Sequence, residues 1–160
     1  MLLNGKKILI TGGCGFIGTA LIRRLREQYP EVRIVVVDSL LTGTPEDLES
    51  VAPVERTNAD APGGDSGAVA LVQADVRDAD AVAACARGCD AVVHLAANTG
   101  VGPSVENPRL DMEVNVGGTF NVLEAARLET VPRVVFASSG APIGEVEPPI
   151  HEELPPHPVS

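Results

Sequence analysis

Residues 11–18 read TGGCGFIG, which sets glycines at 12, 13, 15 and 18 between the apolar run Lys7–Thr11 and a helical pattern starting at Phe16. No other feature restricts the fold so far. Glycine has no Cβ, so a turn built from it reverses tightly, lets a ligand approach the main chain, and brings the next helix close to the preceding strand. Apolar Phe16, Ile17, Ala20, Leu21 and Leu25 recur at helical spacing, and Pro30 is expected to stop the helix near Tyr29. The sequence therefore reads strand, tight turn, helix. In that context Gly13-x-Gly15-x-x-Gly18 is a dinucleotide fingerprint, in which a helix N-terminus offers unpaired N–H groups to a pyrophosphate.

Further along, β-branched or apolar runs predict strands at 32–37 (ending at Asp38), 69–74, 91–95 and 133–137. Helices are expected at 79–87 and 108–129, with a short one after Pro45. The stretch APVERTNADAPGGDSG at 52–67 has the composition of a loop, as does the segment through Gly100, Gly102 and Pro103, and nothing regular is visible from Gly140 onward. Strand and helix alternate five times, which predicts one α/β domain over residues 1–160. Its sheet is expected to be doubly wound and parallel, of Rossmann type, in the order 3-2-1-4-5. The core must come from Val, Ala, Leu and Ile, since the chain has no Trp, one Tyr and three Phe. That mixture suits buried parallel strands.

The formal charge of −10, with only twelve Lys and Arg, argues against a nucleic-acid partner. No apolar run approaches the ~20 residues needed to span a bilayer, and no leader-type segment opens the chain. A cytoplasmic protein with no membrane partner is expected. Cys14, Cys85 and Cys89 read as free thiols, because Cys85-x-x-x-Cys89 lacks metal-site spacing and a second ligand pair. Asp38 ends the second strand twenty residues after Gly18, where an acid can hydrogen-bond the ribose hydroxyls of NAD and repel the 2′-phosphate of NADP. No Arg follows it before Arg56. P-loop phosphate chemistry is disfavoured, since the only lysines, Lys6 and Lys7, precede the glycines.

Taken in order and at their spacing, TGGCGFIG (11–18), VVVDSLLTG (ending at Gly43), ADVRD (74–78), VVHLAA (92–97), NVGGTFNVLEAA (115–126), FASSG (136–140) and the terminal HPVS resemble one family. It is the extended short-chain dehydrogenase/reductases, specifically the NAD-dependent nucleotide-sugar epimerases and dehydratases of the UDP-glucose 4-epimerase kind. The resemblance implies that Gly12, Gly15, Phe16, Ile17 and Gly18 line the pyrophosphate. By the same likeness Asp38, Ser39, Thr42 and Gly43 hold the adenosine ribose and its phosphate, and Asp75 and Val76 flank the adenine. Leu95, Ala96 and Ala97 lie under the nicotinamide half, Asn115 hydrogen-bonds backbone near the active site, and Ser138 adds to the cofactor site. Ser139 aligns with the family hydroxyl that bonds the sugar oxygen undergoing oxidation.

Family members take the hydroxyl proton with a tyrosine whose phenolate is stabilised by a lysine four residues later, because a phenol near pKa 10 is a poor base at neutral pH. That Tyr-x-x-x-Lys follows a stretch like HPVS, and here it is absent. Tyr29 closes the first helix, His94 reads as a satisfied core residue, and His151 and His157 form no triad. Where many relatives carry an aromatic, GAPIG at 140–144 has Ile143. The expectation is an N-terminal fragment of a longer enzyme that oxidises a UDP- or dTDP-sugar at C4, itself inactive but NAD-binding. A non-catalytic NAD(H)-binding or scaffold protein is the alternative. A sheet left open at its edges is expected to associate into homo-oligomers.

Overall fold

A computed structural model describes residues 3–63 and 67–157. The glycine-flanked run forms β1 (Lys7–Thr11) and leads into α1 (Phe16–Gln28), then β2 (Arg33–Asp38) and α2 (Pro45–Glu49). Next come β3 (Val54–Thr57), β4 (Val69–Gln73), α3 (Ala79–Ala86) and β5 (Ala91–His94). The remainder is α4 (Val101–Glu106), α5 (Pro108–Met112), a π-helical turn (Glu113–Gly118), α6 (Thr119–Leu128) and β6 (Val134–Phe136). All strands pair in parallel, in the order β3-β4-β2-β1-β5-β6.

Successive residues of a strand point to opposite faces, and the buried residues divide accordingly. Ile8, Ile10, Ile34, Val36, Val69 and Leu71 face a layer with Ile22 and Leu25 of α1 and Leu48 of α2. Leu9, Val35, Val37, Ala70, Val72 and Val92 face the other, with Val82 and Cys85 of α3 and Val122 and Ala125 of α6. Aliphatic side chains on both surfaces are what a sheet covered twice requires. The three cysteines are buried and free.

The five expected strands keep their expected order, and a sixth lies outside them. Residues 54–57, expected to be loop, form edge strand β3 against β4, because half-buried Val54 packs on the α1 layer while Glu55 and Arg56 stay in solvent. Short charged edge strands of this kind resist further pairing. Also unanticipated is α4, whose Pro103 falls in the first helical turn, where its missing N–H costs nothing. The single helix expected over 108–129 runs from Pro108 to Leu128 but is widened by the π-helical turn at its centre. From Pro158 on, the HPVS motif lies outside the described residues.

Candidate functional site

Because the sheet is parallel, Thr11, Asp38, Gln73, His94 and Phe136 end their strands at one edge. From β1 the chain proceeds to β2 and β4 on one side and later to β5 and β6 on the other. Open α/β sheets take their ligands in the crevice outside such a reversal, and the glycine turn sits there.

In that turn Gly12 adopts φ +71° and donates its N–H to the Val37 carbonyl at 2.8 Å. A Cβ on Gly12 would lie 2.7 Å from the Ala96 nitrogen, and one on Gly13 2.6 Å from both γ-carbons of Val36. One on Gly18 would lie 2.5 Å from the Gly12 carbonyl oxygen and 2.6 Å from the Gly13 Cα. These three positions admit no side chain. Helix α1 starts after Gly15 with no side-chain cap and no acid in its first turn, whereas Thr44, Asp78 and Asn107 cap α2, α3 and α5. Its first amides have no intrahelical acceptor and lie at the positive end of the helix dipole. Phe16 and Ile17, 91% and 61% exposed, stand open at that end.

Asp38 is buried at the tip of β2, and its two carboxylate oxygens accept the Cys14 and Leu40 N–H groups, each at 2.9 Å. The acid thus ties the glycine turn to the strand beside it. Gly43 comes back against Cys14, 2.5 Å from the Cys14 carbonyl carbon for a hypothetical Cβ, while Ser39 and Thr42 stay exposed. Burial, followed by the Asp38 charge, pushes the Cys14 thiol up to about 12, so it is no nucleophile at neutral pH.

After β4, Asp75 receives the Arg77 guanidinium at 2.7 Å, which holds the carboxyl below its usual range. Val76 is buried against Gly118, where a Cβ would meet the Val76 Cγ2 at 2.6 Å. A groove of about 830 Å³ runs beside Asp75 and Arg77 along the outer face of the long helix, over Met112, Val116 and Phe120. It does not reach the glycine turn. After β5, Leu95 and Ala96 are half-buried and Ala97 is exposed. Asn115 is hydrogen-bonded to the backbone of this segment: its Oδ1 accepts the Asn98 N–H at 2.8 Å and its Nδ2 donates to the Asn98 carbonyl at 3.0 Å. Asp111 Oδ1 accepts from both amide side chains.

Ser138 and Ser139 are exposed beyond β6, two strands from the turn, and Ser139 Oγ accepts the Ala141 N–H at 3.1 Å. Tyr29 caps the far end of α1, before β2 begins, and is not brought to this edge; His151 and His157 are exposed in the terminal stretch. The residues that sequence reasoning passed over are Thr11, Asn98, Asp111 and Thr119, all partners of His94 or Asn115. One signal was available, since Thr11 and His94 end two strands that a 3-2-1-4-5 order makes neighbours.

A helix opened by glycine at the reversal of a parallel, doubly wound sheet, with a buried acid ending the next strand, defines a Rossmann-type dinucleotide fold. Residues 8–160 match the NAD dependent epimerase/dehydratase family, and the chain belongs to it. It is 36% identical to a dTDP-glucose 4,6-dehydratase of Mycobacterium tuberculosis, with 88% of this chain and 38% of that protein covered. With a putative UDP-glucose 4-epimerase of Methanocaldococcus jannaschii it shares 35% identity, over 96% of this chain and 45% of the relative. The crystal structure of Thermus thermophilus UDP-glucose 4-epimerase in complex with NAD superposes with a TM-score of 0.78 at 36% identity, over 96% of this chain and 45% of that one. The chain thus spans 38–45% of the length of these relatives.

Proposed function

We propose that this chain binds NAD along the carboxyl edge of its sheet, as the cofactor-holding part of an enzyme that transiently oxidises a UDP- or dTDP-sugar at C4 on the way to epimerisation or dehydration. The observation that carries this reading is the glycine turn, closed to side chains at 12, 13 and 18 and followed by an uncapped helix. Those residues fit a dinucleotide. Gly12, Gly15, Phe16, Ile17 and Gly18 would meet the pyrophosphate, and Asp38, Ser39, Thr42 and Gly43 the adenosine ribose and its phosphate. Asp75 and Val76 would flank the adenine, while Leu95, Ala96, Ala97, Asn115 and Ser138 would serve the nicotinamide half. When bound, NAD supplies a hydride acceptor that gives the hydride back within one turnover.

The chain's own residues bind and orient. A negative Asp38 disfavours a phosphorylated ribose, and the Ser139 hydroxyl would hydrogen-bond the reacting sugar oxygen. Tyr29, away from that edge, cannot take its proton, so these 160 residues alone bind the cofactor without turning sugar over. Calorimetric titration tests the reading: saturable NAD binding with NADP at least about tenfold weaker is expected. Absence of NAD binding overturns it, and sugar turnover by this chain overturns the assignment of Tyr29.

Exposed Met112, Val116, Phe120 and Leu123 form a stripe along the long helix, and β6 is the end strand of the sheet among the described residues. They support self-association into a dimer or larger species, which light scattering checks; a monomer at micromolar concentration counts against it. No helix among the described residues is long and apolar enough to cross a membrane, which accords with a cytoplasmic enzyme.

A further inference from the structure

His94 is buried at the end of β5 with both ring nitrogens engaged, Nδ1 2.6 Å from Thr11 Oγ1 and Nε2 3.1 Å from Thr119 Oγ1. The proton positions follow from the outer partners. Thr119 Oγ1 lies 2.6 Å from the Asn115 main-chain oxygen, which can only accept, so the Thr119 proton points there. Toward the ring, Thr119 then presents a lone pair, and Nε2 must carry the hydrogen. In a neutral imidazole Nδ1 is then the acceptor, so the Thr11 hydroxyl donates to it. That leaves a Thr11 lone pair for the Ala96 N–H, 3.3 Å away.

These bonds close a circuit. It runs from Ala96 through Thr11, His94 and Thr119 to Asn115, then through the Asn115 side chain to Asn98, two residues from its start. Residues 95–98 are thereby held at Ala96 from β1 and at Asn98 from the long helix. His94 is the side chain that joins the two supports. Burial lowers the basicity of the ring, and the Phe136 ring lies beside it, tilted by 32° with centroids 5.7 Å apart.

We propose that His94 is a positioning residue: fixed as the neutral Nε2–H tautomer, it locks the strand-end segment 95–98 between Thr11 and Asn115 and so shapes the floor on which the nicotinamide half of NAD rests. The first part concerns this chain alone; the second rests on the NAD reading above. Glutamine can present an oxygen acceptor and an N–H donor about as far apart as the two ring nitrogens, whereas phenylalanine keeps the shape and offers neither.

Three measurements separate the possibilities. Nitrogen–proton correlation NMR of the chain is expected to show His94 as the neutral Nε2–H tautomer at about pH 7.5. An Nδ1–H tautomer or a charged ring at that pH overturns the proposal. In His94→Phe, and in Thr119→Val should the former not fold, the Ala96 and Asn98 amides are expected to exchange at least about tenfold faster, and His94→Gln to stay within about threefold of wild type. Unchanged exchange in the folded variants overturns the lock. NAD titration of the same proteins is expected to weaken about tenfold for Phe or Val and to recover with Gln. If wild type binds NAD and both disrupting variants bind equally well, the positioning role fails. If wild type binds no NAD, the reading of the cofactor fails, while tautomer and exchange still decide the lock.

Discussion

Strands β2 and β6 are made of similar residues, RIVVVD and VVF, and belong to one sheet, yet every residue of β2 from Ile34 on is buried and all of β6 is exposed. Val35 and Val36 are 0% accessible, while Val135 and Phe136 are each 56% accessible. Side-chain chemistry does not account for the difference. Between β1 and β4, β2 has helices above and below it, whereas among the described residues β6 has β5 as its one strand neighbour. An aliphatic strand shows how hydrophobic its surroundings can be, and its neighbours decide whether that surface is used.

The largest expected consequence is in β2. Ile34→Ala should cost about 3–4 kcal/mol, because a fully buried position between two layers cannot collapse around the void; chemical denaturation measures it, and a loss below about 1 kcal/mol would show that the layers relax. Next is Gly18→Ala in the first turn of α1, whose new methyl meets the main chain of Gly12 and Gly13. A loss of about 2–3 kcal/mol together with NAD binding is expected, and retained binding by calorimetry would show that the turn can widen.

Third comes the junction of the buried and open halves, at His94. The folded ring resists protonation relative to its ordinary value of 6.5, so below that pH the unfolded chain binds the extra proton. Stability is complete above about 6.5 and falls as the pH drops toward the lowered folded value, by at most about 1.4 kcal/mol per pH unit. Melts at a series of pH values should show this slope in wild type and a flatter one in His94→Gln. The smallest effect is in β6, where Val135→Ala should stay within about 0.5 kcal/mol. A larger loss by the same denaturation assay would mean that β6 is covered in solution, and would identify it as part of an interface.

The architecture was legible because it follows from periodicity and punctuation. Aliphatic runs at 7–11, 32–38, 69–74, 91–95 and 133–137 alternate with helical patterns, glycines at 12 and 18 lie where backbone meets backbone, and Gly13 makes room for the Val36 side chain. What escaped depends on partners far away in the chain. Strand β3 is four residues of mixed polarity, held as a strand by β4 and by the α1 layer rather than by its own preference. Proline and glycine in GVGPSVE read as loop, although a proline in a first turn is compatible with a helix. The site residues on glycine loops and at Asp38 could be named from spacing, but the circuit through Thr11, His94 and Thr119 could not. Its members are 83 and 25 residues apart along the chain, and which hydroxyl meets which ring nitrogen is decided by strand register and by the π-helical turn.

Asp38 accepts one main-chain hydrogen from the glycine turn after β1 and one from the loop after β2, so the residue expected to choose between two forms of a cofactor is also a fastener of the turn that would receive it. A lineage drifting toward a phosphorylated ribose could not simply discard this acid, because two amides would lose their acceptor at the same stroke. A change of preference at this position would first need some other acceptor for the Cys14 and Leu40 amides, and so would take two steps.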